Sequence, residues 1–233
     1  MNTSVVSQHL DPACSRFQVE QVSSGKIKLL QDSRSSLKAK VYMQLINGSC
    51  VVVKDYAHAH PLIKVLICQW LIKREIVALR RLHAHPGVPV FKGRQGRFAF
   101  AMELIEGHTL SKTALKNTPF LVKQLIAHIL DIHNYGVTHN DIRVRNILID
   151  QKQNLHIIDF TGAIIKPEHA YSLTSLLYYL TKFIERVKVV KIKQQYLSNA
   201  LNEQESRLVK FVMPLKNICR WWKKYVYSFL KFE

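Results

Sequence analysis

Residues 137–162 decide how this chain is read. They run Val137-Thr-His139-Asn140-Asp141-Ile-Arg143-Val-Arg145-Asn146-Ile-Leu-Ile149, then the polar stretch Asp150-Gln-Lys-Gln-Asn154, then Leu155-His-Ile-Ile158-Asp159-Phe160-Thr161-Gly162. Ile147–Ile149 and Leu155–Ile158 are short runs rich in β-branched residues. The Asp/Asn-bounded turn between them is of the kind that closes a hairpin. Three polar residues, Asp141, Asn146 and Asp159, sit at the ends of these apolar runs at offsets of five and thirteen. A bare hairpin with solvated acids accounts for the pattern locally. It does not account for the matches upstream.

Transfer of a phosphoryl group from ATP needs an aligner or base for the acceptor hydroxyl and two oxygen ligands for magnesium. A His-x-Asp-x-x-x-x-Asn loop followed by an Asp-Phe-Gly turn supplies them. The loop is intact at His139, Asp141 and Asn146, whereas the turn is Asp-Phe-Thr with its glycine one place later. The chain therefore resembles the protein-kinase-like superfamily. The resemblance implies an α+β, bilobal fold: a small antiparallel-sheet N-lobe with one helix, over a compact, mostly helical C-lobe. Its expected division is a flexible extension over 1–24, the N-lobe over 25–103 and the C-lobe over 104–233. It implies ATP and Mg2+ as cofactors, Asp141 as the catalytic residue, and Asn146 and Asp159 as magnesium ligands.

Upstream features follow in the order that resemblance requires. Val51-Val-Val-Lys54 is an apolar strand ending in a lysine like the one that grips the α- and β-phosphates. Glu75, the sole acid between Asp55 and Glu103, lies in a stretch with Ile72, Ile76, Leu79 and Leu82 at helical spacing. It is the expected partner of Lys54; an exposed glutamate on a basic helix is the alternative. Strand-like runs at Val90–Lys92 and Arg97–Met102 flank Gly93–Gly96. Met102–Gly107 resembles the hinge between lobes, which puts Glu103 and Ile105 against the adenine. Phe120, Leu121, Leu125, Ile126, Ile129, Leu130 and Ile132 predict a helix over 120–135, ended by Asn134-Tyr-Gly136.

Several features depart from the family pattern. Strands are expected at 26–31 and 37–46, but the loop between them carries Ser33, Arg34, Ser35 and Ser36 rather than glycines. Those residues can offer amides, hydroxyls and a charge to phosphate, without glycine's access to positive φ. Asn140 replaces the arginine usual before the catalytic aspartate, which argues against control by a phosphorylated activation loop. Arg143 stands two after Asp141, where a cation near the γ-phosphate would stabilise developing charge; an exposed loop arginine is the alternative. Lys166-Pro-Glu168 follows Asp159 too closely for an ordinary activation segment and reads as a turn into a helix over about 169–187. No aspartate follows Asp159, so the one that braces the catalytic loop in many kinases has no evident counterpart. A compact C-lobe of this kind is more similar to RIO-type kinases and bacterial lipopolysaccharide-core (heptose and Kdo) kinases than to ordinary serine/threonine kinases.

Composition sets the outer limits. The 233 residues suit one bilobal domain, and at 48% hydrophobic they can form a core. Four scattered cysteines without a Cys-x-x-Cys suggest a reducing compartment and no zinc site. The N-terminus lacks a secretory pattern, and no apolar run is long enough to span a membrane, so a cytoplasmic setting is expected. The formal charge of +18 calls for an anionic partner: a protein substrate, a phosphorylated glycolipid or a membrane face. Lys182 to Glu233 holds twelve Lys/Arg against four Asp/Glu. Within it, Leu215, Ile218, Trp222, Tyr225 and Phe229 make a basic amphipathic helix over 215–232. That helix would either lie peripherally on the inner membrane face or close the C-lobe. No nucleic-acid motif accompanies the charge. The resulting expectation is an ATP-dependent kinase acting on a protein serine or threonine or on a lipid-linked saccharide. The alternative is a non-catalytic, kinase-fold binding module.

Overall fold

A computed structural model describes residues 26–31, 38–46, 48–61, 64–168, 173–197, 201 and 203–207. The serine loop 33–36, the extension 1–24 and the amphipathic segment 215–232 lie outside these residues. Within them the architecture is the expected α+β one. A five-stranded antiparallel sheet has the order β1-β2-β3-β5-β4. Its strands are β1 (Lys26–Gln31), β2 (Lys40–Ile46), β3 (Ser49–Asp55), β4 (Phe91–Arg94) and β5 (Ala99–Glu103). Helix α1 (Gln69–Arg81), preceded by a π-helical turn at Lys64–Cys68, packs on one face of the sheet. The second lobe has α2 (Lys112–Asn117), α3 (Pro119–Asn134) and α4 (Leu173–Tyr196). Its strands are β6 (Gly107–Thr109), β8 (Ile147–Asp150) and β9 (Leu155–Ile157) in one small sheet, and β7 (Val137–Thr138) with β10 (Ile164–Ile165) in another.

Side-chain periodicity positions the site. In β3 the two-residue period sends Val51 and Val53 to one apolar cluster and Val52 to the main core. Lys54 shares the parity of Val52 and so points the same way. On α1 the spacing of three and four places Glu75 on the buried stripe with Ile72, Ile76 and Leu79. The alternative of an exposed Glu75 is thereby excluded.

Helix α3 begins on Pro119, where a missing N–H costs nothing, and ends before Gly136 at φ 71°. Its buried stripe includes Val122 and His133, while Phe120 and Leu130 are exposed, so the stripe is rotated from the expected one. Among the described residues helix α4 continues to Tyr196, past the end expected near 187. Cys50 is disulfide-bonded, contrary to the reducing compartment the cysteine pattern suggested; Cys68 is buried.

The connection from sheet to second lobe depends on a glycine. At Gly107 a Cβ would stand 2.3 Å from the Ile149 carbonyl oxygen, because β6 lies directly on β8. Gly107→Ala should lower stability by about 1–3 kcal/mol, measured by urea unfolding.

Behind the β8–β9 hairpin, the rings of His85 and His128 lie 5.1 Å apart, with His85 Nε2 3.3 Å from Asp131 Oδ2. Burial, then the neighbouring charges of His85 and His156, pull His128 down to about 4. The unfolded chain binds this proton below about pH 6.5, whereas the folded chain refuses it until near 4. The resulting stability is complete above about pH 6.5 and is lost on acidification through that window. The melting temperature should fall by about 5 °C or more between pH 7 and pH 5, and His128→Gln should flatten that slope.

Candidate active site

The buried ammonium of Lys54 lies between two carboxylates. Its Nζ donates to Glu75 Oε1 at 2.6 Å and to Asp159 Oδ1 at 2.8 Å. Burial alone would push this ammonium down, but the charges of Glu75 and Asp159 outweigh that and hold it well above the usual lysine range. Burial likewise pushes Asp159 up, and Lys54 overrides it, leaving the carboxyl well below the usual range. Asp159 itself takes a left-handed backbone conformation, φ 68°, which turns the chain sharply at the end of β9.

The threonine that replaces the expected glycine is part of this cluster. Thr161 Oγ1 lies 2.6 Å from Asp159 Oδ1 and 3.0 Å from Glu75 Oε2, so its hydroxyl proton can serve either carboxylate. The Phe160 amide donates to Glu75 Oε1 at 3.2 Å. Tyr56, buried against Thr161, has its phenol pushed up to about 12, first by burial and then by the Glu75 charge. Arg74 of α1 donates two hydrogen bonds, at 3.1 and 2.7 Å, to the Ala163 carbonyl, and its guanidinium stacks on Trp70. Helix α1 is thus tied to the turn after Asp159 by Glu75 and by Arg74.

Asn146 lines the same cavities as Lys54 and Asp159, whereas Asp141 lines neither and is joined to the site through Asn146. Asn146 Nδ2 donates to the Asp141 backbone oxygen at 2.9 Å and to Asp141 Oδ2 at 3.1 Å, so the atom left to face a cation is Oδ1. His139 accepts from the Asp141 amide at Nδ1 (3.2 Å), and its Nε2 lies 3.0 Å from the Ile158 carbonyl. Together these contacts define an Nε2–H tautomer. Burial, only partly opposed by the bond to Ile158, keeps this imidazole below its usual range and so neutral.

The brace expected to be missing is present as a glutamate. Glu185 of α4 is fully buried and accepts from His133 Nε2 at 2.7 Å, from the His139 amide at 3.3 Å and from the Asn140 amide. Burial raises its carboxyl, but the hydrogen bonds from His133 and Asn140 more than offset this and hold it below the usual range. The usual aspartate pattern does not contain it; its sequence signal is a lone acid in an otherwise basic, apolar helix. Asn140, at φ 67°, crosses from this loop to the following turn by donating Nδ2 to the Gly162 carbonyl at 2.9 Å.

A cavity of about 640 Å³ opens between the lobes. Val41, Met43, Val52 and Met102 line it from the sheet, and Leu148 and Ile158 line it from below. Glu103 and Ile105 form its hinge edge, and Lys54, Asn146 and Asp159 its inner end. The Glu103 carboxylate is already engaged by the Val90 amide at 3.0 Å, which leaves backbone groups as the hinge's contribution. A second cavity of about 390 Å³, lined by Lys38, Tyr56 and Arg145 among others, shares Lys54, Asn146 and Asp159 with the first. An apolar slot ending in a lysine, an amide oxygen and a carboxylate matches a purine carrying a magnesium-bound triphosphate. Arg143 is not turned into either cavity; its Nε pairs with Asp141 Oδ1 at 2.6 Å in solvent.

A family model described as the protein kinase domain matches residues 47–183, more than half of the chain. The chain belongs to the protein kinase domain family. It is similar to CBL-interacting serine/threonine-protein kinase 21 of Arabidopsis thaliana, 33% identical over 132 residues, covering 53% of this chain and 31% of the relative. It is also similar to serine/threonine-protein kinase cds1 of Schizosaccharomyces pombe, 38% identical over 101 residues, 39% of this chain and 22% of that one. The chain spans about a third or less of the length of these relatives.

Glu185→Ala leaves two loop amides and His133 without their shared acceptor. It should cost about 2–4 kcal/mol of stability and speed hydrogen exchange at the His139 and Asn140 amides. Glu185→Gln keeps the length but turns one acceptor oxygen into a donor facing an N–H, so it should recover only part of that loss.

Proposed function

We propose that this chain is an ATP-dependent phosphotransferase with a hydroxyl acceptor, most readily a protein serine or threonine. The observation that carries the reading is the buried Lys54 ammonium shared by Glu75 and Asp159 at the inner end of the interlobe cavity. A cation so placed, 2.6 Å from a fixed carboxylate on α1, is oriented for phosphate oxygens arriving beside Asp159. The hinge backbone at Glu103 and Ile105 would take the adenine edge, and Ser33, Arg34, Ser35 and Ser36 would offer donors and a charge to the phosphates. Asn146 Oδ1 and Asp159 would hold Mg2+, whose contribution is to neutralise charge on the phosphate oxygens.

Asp141 would align the acceptor hydroxyl. The acceptor oxygen forms its bond to the γ-phosphorus as the bond to ADP breaks, and the hydroxyl proton passes late to Asp141. The loop offers Asp141 a rigid seat, since its amide is held by a neutral His139 and its carboxylate by Asn146. Relatives named as serine/threonine-protein kinases favour a protein acceptor. The short segment between Asp159 and α4, on which the expected likeness to RIO-type and lipopolysaccharide-core kinases rested, would suit a smaller saccharide acceptor as the second reading. A cytoplasmic setting, where MgATP is abundant, fits either acceptor.

Asp159→Ala should abolish MgATP-dependent stabilisation in a thermal melt. Asp141→Ala should leave that stabilisation intact while lowering transfer of label from γ-labelled ATP by roughly 10²–10⁴-fold. Lys54→Met should weaken both. Full transfer by either aspartate variant would reject the assignment.

A further inference from the structure

The roles assigned above leave two cations beside Asp141 without a task. Arg143 Nε lies 2.6 Å from Asp141 Oδ1, and Arg145 Nη2 lies 3.1 Å from Oδ2. Their side chains are 60% and 65% exposed, so they are not buried counterions held by packing. Exposed pairs of this kind are worth little, and each guanidinium keeps further N–H donors for another anion. Arg145 also lines both cavities, which puts it at the junction of the expected phosphate site and the approach to Asp141. Lys38 lines the smaller cavity as well, and Asp159 is the one carboxylate among its lining residues.

An acceptor must reach Asp141 through this collar. A basic peptide would meet two guanidinium groups at the point of transfer. A carboxylate or phosphate would instead take a bidentate fork from Arg143 or Arg145, drawing it away from Asp141. The same exchange frees the Asp141 oxygens for the acceptor hydroxyl, so docking and exposure of the aligning group become one event. The net charge of +18 steers acidic partners to this surface without selecting a position on them. The two arginines, one beside each Asp141 carboxylate oxygen, supply that position.

We propose that Arg143 and Arg145 form the acceptor-recognition site and select a serine- or threonine-bearing peptide with Asp, Glu or phosphoserine beside the acceptor hydroxyl. This rests on the phosphotransfer reading above and names the substrate class for the same site. The surface is tested apart from the chemistry by fluorescence anisotropy with the full chain. The probes are serine peptides of one length with acidic, neutral or basic flanks, measured beside label transfer from γ-labelled ATP to the same peptides.

Acidic flanks should bind and react roughly tenfold better than basic ones. The pair Arg143→Glu/Arg145→Glu should erase or invert that ratio. The pair Lys116→Glu/Lys123→Glu, which makes the same charge change on α2 and α3 outside both cavities, should leave it standing. Arginine-dependent binding of acidic peptides without any label transfer keeps the recognition site and defeats the phosphotransfer reading. Transfer that ignores flanking charge, or that goes to a phosphorylated saccharide and not to acidic peptides, keeps the kinase and overturns the recognition site. Equal loss of preference in both charge-reversal pairs overturns it too, because net charge alone then explains the selection.

Discussion

The arrangement depends on one buried cation. Lys54 leaves β3 on the core side of the sheet, and its ammonium is neutralised by one carboxylate from α1 and one from the turn after β9. Removing the lysine from such a set leaves two carboxylates without their cation, a cost of about 3–5 kcal/mol where the acid is buried, as Glu75 is. Each partner therefore constrains the others. The sheet, α1 and the Asp159 turn meet at this lysine, which bonds to the latter two.

Around this cation the chain departs repeatedly from its family's usual residues, and each departure is matched by a local bond. Thr161, where a glycine is usual, adds a hydroxyl between Asp159 and Glu75. Asn140, where an arginine is usual, spans from the catalytic loop to the Gly162 carbonyl. Glu185, longer by one methylene than the aspartate it stands in for, reaches the His139 and Asn140 amides and also engages His133. Arg74 fastens α1 to the Ala163 carbonyl. Together these short contacts hold α1 against the Asp159 turn through groups within the two elements themselves.

Much of the site was legible because it is written in local patterns. The β8–β9 hairpin announces itself by two β-branched runs and an Asp–Asn turn, and the structure closes it by three contacts from residue 154 and neighbouring amides to Asp150. The Lys54–Glu75 pair was legible because strand parity and helical spacing each put the charged residue on the buried face. Less legible were Tyr56, Arg74 and Glu185. Each acts on a partner far along the chain: Arg74 bonds a carbonyl 89 residues on, and Glu185 bonds an amide 46 residues back. Neither local spacing nor composition encodes such separations. The exposed Phe120 and Leu130 mark the same limit in α3, where a stripe one residue wide of the true one fits the apolar pattern equally well.

By itself the sequence determined the kind of fold and the identity of the central polar residues. A catalytic-loop spacing, a strand ending in lysine and a lone acid on a helical stripe are short-range facts, set by backbone period and residue chemistry. Tertiary structure alone decided which groups share a proton or a charge. It gave Glu185 the task of an absent aspartate and made a threonine hydroxyl part of the lysine's cage. It also turned two loop arginines onto the carboxylate between them. Those outcomes depend on distances across the interior, where a few ångströms separate a strong electrostatic contact from none, and linear order carries no measure of such distances.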